Sequence, residues 1–112
     1  MKKGEVWWAT LEEPIGSEPG YRRPVVIVSS DDFNQSKINT VLVAIITSNL
    51  NLANAPGNFL ISKNESGLTK ESVINVSQVL TLDKTFLSKK LRKLPKNKVV
   101  CLNEGLRLVL AI

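Results

Sequence analysis

The segment Gly16-Ser17-Glu18-Pro19-Gly20-Tyr21-Arg22-Arg23-Pro24 runs directly into Val25-Val26-Ile27-Val28, and this junction constrains the fold more than any other feature of the chain. Four consecutive β-branched apolar residues read as a strand buried on both faces. Proline has no amide to donate, so Pro24 is expected as the first residue of that strand. Arg23 then stands at the mouth of a rigid element. A second apolar run, Val41-Leu42-Val43-Ala44-Ile45-Ile46, ends in Thr47-Ser48 ahead of an asparagine-rich stretch, so two hydroxyls sit where another strand leaves the core. A guanidinium and hydroxyls at strand ends are suited to holding an anion.

At 112 residues with 43% hydrophobic content, the chain is expected to form one globular domain, 1–112, with its own core. No stretch approaches the roughly 20 apolar residues that a membrane helix needs. Met1-Lys2-Lys3 is followed by Gly4-Glu5 where a signal peptide would carry an apolar core, so the expectation is a cytoplasmic protein. Cys101 lies in an apolar helical stretch and is read as a buried structural residue. The excess of 15 Lys and Arg over 10 Asp and Glu gives a net charge of +5, which favours an anionic partner. The basic residues are densest in Lys89-Lys90-Leu91-Arg92-Lys93-Leu94-Pro95-Lys96-Asn97-Lys98, which holds six bases and no acid. That stretch reads as a solvated surface segment, with a phosphate-binding patch as the alternative.

Along the chain, strands are expected at 5–11, 24–29, 39 or 40 to 47, 59–61 and 72–80, with turns between them. The segment 49–58 carries four asparagines and no sustained period, and reads as a mobile loop. In the fifth strand Ile74 and Val76 alternate with Asn75 and Ser77, giving one wet face. From Pro95 the period becomes helical, with Val99, Leu102, Leu106 and Val109 or Leu110 on one side. About five strands and a terminal helix without βαβ alternation predict a small antiparallel barrel-like sheet plugged by a helix.

The chain contains no histidine, which removes the usual general acid and base and the commonest metal ligand together. No carboxylates pair at metal-site spacing, and Asp31-Asp32 reads as a local cap. The reading is therefore a site without metal or cofactor. Cationic stabilisation of a charged transition state remains, with Arg22 and Arg23 as its candidates.

The motifs Gly4-Glu5-Val6-Trp7, Ile15-Gly16-Ser17-Glu18, Arg23-Pro24-Val25-Val26, Ala44-Ile45-Ile46-Thr47-Ser48, Ser72-Val73-Ile74 and Thr81-Leu82-Asp83-Lys84 resemble, in order and spacing, the MazF/PemK family of toxin endoribonucleases. That resemblance implies an α+β, mainly antiparallel, SH3-like barrel of the PemK/CcdB type with a C-terminal helix. It also implies a homodimer, an acidic antitoxin as partner, and metal-independent, sequence-selective cleavage of single-stranded RNA. The family's catalytic arginine and threonine match Arg23 and Thr47. Ser77 stands where glutamate is frequent in the family and Leu80 where arginine is frequent, and both substitutions bear on cleavage specificity.

Around that pair, Tyr21 is expected to stack on a base from the loop beside the arginines, with Arg22 and Ser48 as further RNA contacts. Gln78 reads either as a base-edge reader or as a hydrogen-bonding partner within the sheet. Trp7 and Trp8 point to opposite faces of their strand, one to the core and the other to a dimer contact or a base. For Arg23 the alternative is a surface ion pair with Glu18, and for Thr47 a plain strand-end hydroxyl. Two other functions fit the barrel. One is a non-catalytic nucleic-acid-binding module. The other is a CcdB-like topoisomerase poison, whose mode needs a tryptophan that the tail Val109-Leu110-Ala111-Ile112 lacks.

Overall fold

The computed structural model describes residues 1–12 and 21–112. The segment Gly16 to Gly20, the motif Ile15-Gly16-Ser17-Glu18 and the Arg23–Glu18 alternative lie wholly or partly outside the described residues. Six strands form one antiparallel sheet: β1 (Glu5–Glu12), β2 (Tyr21–Ile27), β3 (Thr40–Thr47), β4 (Phe59–Ile61), β5 (Ser72–Asp83) and β6 (Leu87–Lys93), in the order β4-β5-β3-β2-β1-β6. Two short helices, α1 (Asp31–Gln35) and α2 (Lys63–Ser66), sit in the connections, and α3 (Lys96–Leu110) ends the fold. The sheet curls into a half-barrel, and α2 approaches β6 from the β4 side. The α+β, antiparallel expectation holds.

Both faces of the central strands are buried, as their unbroken apolar runs require. On one face Val26, Ala44, Ile46, Ile74 and Val76 pack with Leu102 and Leu106 of α3. On the other, Val25, Ile27, Val43 and Ile45 pack with Leu82 and Leu87. Burying each such side chain contributes about 1.5–3 kcal/mol before chain entropy is counted. Trp7 packs on the second cluster and its Nε1 donates to Glu5 Oε1 at 3.1 Å, so it is the core-facing member of the pair.

Pro24 is the fourth residue of β2, not its first. It is opposite Trp8 of β1, whereas pairing with β3 begins only at Val25 opposite Ile45. At Pro24 the strand therefore has a neighbour on one side only, where a missing donor is tolerated as at a sheet edge. Tyr21 and Arg22 consequently belong to the strand and not to the loop. The stretch 89–98 is divided between β6, a sixth strand on the sheet edge, and the start of α3, and Lys89, Lys90, Arg92 and Lys93 of β6 are solvated as expected. Their charges are the usual defence of an edge strand against pairing with another chain. β5 is also longer than expected, and its alternation breaks where Ala44 opposes Val79 but Ile45 opposes Asn75. Residues 76–78 have no opposite on β3, and across this bulge Asn75 and Val76 are buried while Ser77 and Gln78 are exposed.

Segment 49–58 is not featureless. It holds a 3-10 turn over Leu50–Asn54, and Asn58 ties it down by donating to Leu52 O and accepting from Val76 N, both at 2.9 Å. Ser62 and Glu65 form a reciprocal capping box on α2, which Gly67 ends in a left-handed conformation with φ 79°. Along α3, Leu102 and Leu106 are buried as expected, but Val109 and Leu110 in its last turn are exposed. Cys101 is half-buried on the flank of the helix instead of in the core.

Candidate active site

The ladder between β2 and β3 stops at Val25 opposite Ile45, and beyond it the two strands part. Continued by two residues on each strand, the same register would set Arg23 against Thr47. Arg23 instead places its guanidinium over the opening: Nη2 donates to the backbone oxygen of Ile46 at 3.3 Å and Nη1 donates to the Tyr21 hydroxyl at 2.6 Å. Both acceptors are neutral, and among the described residues the ion pairs are Lys90–Glu5 and Lys98–Glu65, neither of them here. Among the described residues the positive charge of Arg23 is held in place without an ion-pair partner.

Thr47 is fixed by pairing with Val73 on β5, and its Oγ1 accepts the amide of Asn49 at 3.2 Å. That bond uses an acceptor lone pair, so the Thr47 O–H remains a donor. A cleft of about 390 Å³ opens at this point and is lined by Trp8, Arg23, Thr47, Ser48, Lys70 and Ser72, among others. A second cleft of about 350 Å³ is lined by Tyr21, Arg23, Ser77, Gln78 and Leu80. Arg23 lines both clefts.

The structure thus brings together Arg23, Thr47 and Ser48 on one side and Tyr21, Arg23 and Gln78 on the other. Gln78 Oε1 accepts from Asn75 Nδ2 at 2.9 Å, which leaves its Nε2 amide pointing out from an exposed residue. Both sequence readings of Gln78 therefore have a counterpart in the geometry. Arg22 does not join Arg23. It lies on the opposite face of β2, where its guanidinium stacks over the Trp8 ring at 4.6 Å from the centroid. Neither Lys70 nor Ser72, the first residue of the motif Ser72-Val73-Ile74, is expected at the site from the sequence, since only the fold carries the 68–72 segment across to the β2–β3 opening. Among the described residues no three Cys, Asp or Glu side chains gather as a metal cage.

An antiparallel half-barrel with a terminal helix, and a guanidinium and a hydroxyl at the point where its two central strands part, define a class of small α+β proteins. The same architecture occurs in solved toxins. The chain matches a mycobacterial endoribonuclease in complex with its cognate antitoxin at TM-score 0.81 and 20% identity, covering 100% of this chain and 96% of that one. It matches Mycobacterium tuberculosis toxin MazF-mt6 at TM-score 0.78 and 18% identity, covering 96% and 97%. In sequence it is 40% identical over 110 residues to Endoribonuclease MazF2 of Mycobacterium bovis, spanning 98% of this chain and 96% of that protein. It is 39% identical over 112 residues to Endoribonuclease MazF of Staphylococcus saprophyticus, spanning 100% and 92%. The family model of PemK-like, MazF-like toxins of type II toxin-antitoxin systems matches residues 2–110, and the chain belongs to that family.

Proposed function

We propose that this toxin is a metal-independent, sequence-selective endoribonuclease that cuts single-stranded RNA, with Arg23 and Thr47 as its catalytic residues. The observation that carries the reading is the Arg23 guanidinium, held by two neutral oxygens beside the Thr47 hydroxyl in an open cleft. The names of the relatives, endoribonucleases from several bacteria, support it.

The arrangement suits the following chemistry. Attack by the ribose 2'-OH forms a 2'-oxygen to phosphorus bond and breaks the bond to the 5'-oxygen. A 2',3'-cyclic phosphate and a 5'-hydroxyl result. Charge builds on the non-bridging oxygens in between, where the arginine fork and the threonine O–H donate hydrogen bonds. A guanidinium stays protonated in proteins, so Arg23 serves as electrostatic stabiliser and hydrogen-bond donor, while water supplies the proton to the leaving 5'-oxygen and water or another group accepts the 2' proton. Tyr21 steadies the Arg23 fork and offers its exposed ring to a base; Ser48 and the free amide of Gln78 are the remaining RNA contacts.

The exposed Val100, Leu108, Val109, Leu110 and Ile112 on and after α3 support a homodimer, and the net charge of +5 supports an acidic antitoxin that covers the clefts. The test of cleavage is incubation of the purified protein with single-stranded RNA in excess chelator. Cutting is expected to leave cyclic phosphate ends and to stop when the 2'-OH at the cut position is methylated. Continued cutting of the methylated strand removes the proposed nucleophile, and binding without cutting makes the protein a non-catalytic RNA-binding barrel.

A further inference from the structure

The cleft uses neither Arg22, expected from the sequence as an RNA contact, nor the basic strand β6, and the sheet register puts them on one face with Trp8. Trp8 is opposite Pro24 on β2 and Lys89 on β6, while Thr10 is opposite Arg22. Directly opposed residues of antiparallel strands project to the same side, as do residues two apart on one strand. Trp8, Arg22 and Lys89 therefore project from a common surface. Lys90 does not: it projects to the other face and is bound to Glu5 at 3.0 Å.

Three observations give this surface a ligand chemistry. The Arg22 guanidinium lies over the indole of Trp8, 4.6 Å from the ring centroid, so the ring backs the cation and the outer plane of the guanidinium faces away from it. Arg22 and Lys89 are exposed and Trp8 is half-buried. Trp8 also lines the cleft that holds Arg23 and Thr47, so this surface is continuous with that cleft. A planar cation backed by an aromatic ring matches the face of a nucleobase, and a lysine beside it matches the next phosphate. A carboxylate side chain would use the charges but not the plane.

Resting on the reading of the cleft as a site for single-stranded RNA, we propose that Trp8, Arg22 and Lys89 form a docking ledge for a nucleotide flanking the cut, with the base stacked on Arg22 and a phosphate on Lys89. The ledge would explain why this chain keeps two adjacent arginines that point apart: Arg23 acts on the scissile phosphate, and Arg22 grips the strand beyond it.

The experiment measures equilibrium binding of fluorescein-labelled, fully 2'-O-methylated random RNA pools, which cannot be cut, at about 4 and about 16 nucleotides. Arg22→Ala is expected to weaken the long pool about fivefold or more and to shrink its advantage over the short pool. Arg22→Lys should keep the salt slope yet restore little affinity, since it keeps the charge and loses the plane. Lys89→Gln should lower the salt slope by about 0.7, the share of one phosphate contact on a single strand. Unchanged long-pool affinity and slope in Arg22→Ala and Lys89→Gln, with the melting temperature of each variant intact, overturns the ledge. So does loss of binding confined to an acidic peptide, which would make the surface a protein contact. A wild-type protein that binds these pools with the expected variant pattern but never cuts unmodified RNA supports the ledge while defeating the cleavage mechanism. One that cuts while the variants bind as wild type does the reverse.

Discussion

Arg23 donates to the backbone oxygen of Ile46 across the point where β2 and β3 separate, at 3.3 Å. A carbonyl is a weak partner compared with a carboxylate, so the guanidinium is oriented at little cost to its charge. The same opening that removes a ladder partner from Pro24 also creates the cleft beside it.

Removing the fork should therefore abolish catalysis and spare the fold. Arg23→Ala and Thr47→Ala are each expected to lower the cleavage rate by about a hundredfold or more, near 3 kcal/mol of transition-state stabilisation, with little change in melting temperature. Arg23→Lys should rescue little, because an ammonium is a point donor. Single-turnover cleavage of a defined RNA measures this, and full activity in either alanine variant would displace the assignment.

A second prediction concerns acid stability. Burial pushes the Glu5 carboxyl up, but hydrogen bonds from the Lys2 amide, from Lys90 and from Trp7 outweigh it and hold the group below the ordinary glutamate range. A depressed carboxyl contributes stability that is complete above its unfolded value, about 4.3, and is lost as pH falls through the lower folded value. Glu5→Gln is expected to cost about 1–3 kcal/mol at neutral pH and to flatten the acid limb of the stability curve. Urea melts from pH 7 down to pH 3 would show it; parallel curves for the two proteins would refute the linkage.

Gly105 lies inside α3, where alanine normally adds about 1 kcal/mol of helix stability. Here a Cβ would fall within the van der Waals envelope of the Gly57 carbonyl, which is backbone and cannot swing aside. Gly105→Ala should therefore destabilise the protein by about 1–3 kcal/mol in chemical denaturation. A stabilised variant would mean that the 49–58 segment gives way easily.

For the antitoxin, association steered by charge should be slowed by moderate salt more than dissociation is accelerated, since screening acts over about 8 Å in physiological salt. The toxin should run as a dimer at micromolar concentration, and an acidic antitoxin fragment should compete with RNA in stopped-flow mixing. A monomer that holds both ligands at once would defeat the arrangement.

What the sequence determined by itself was local. The runs Val25 to Val28 and Val41 to Ile46 read as strands buried on both faces, the period after Pro95 reads as a helix, and Arg23 and Thr47 are legible as strand-end groups through their motifs. The tertiary structure decided what depends on partners distant in the chain. β6 was hidden because an edge strand needs only one apolar flank and carries its charges outward. The bulge in β5 separated Asn75, which is buried, from Ser77, which stays on the wet face expected for both, and no alternation rule foresees inserted residues. Lys70 and Ser72 joined the cleft only because β5 pairs with β3, and Arg22 parted from Arg23 only because β2 begins at Tyr21 and a strand sends neighbouring side chains to opposite faces. Periodicity encodes burial along one segment, whereas a site is a meeting of segments.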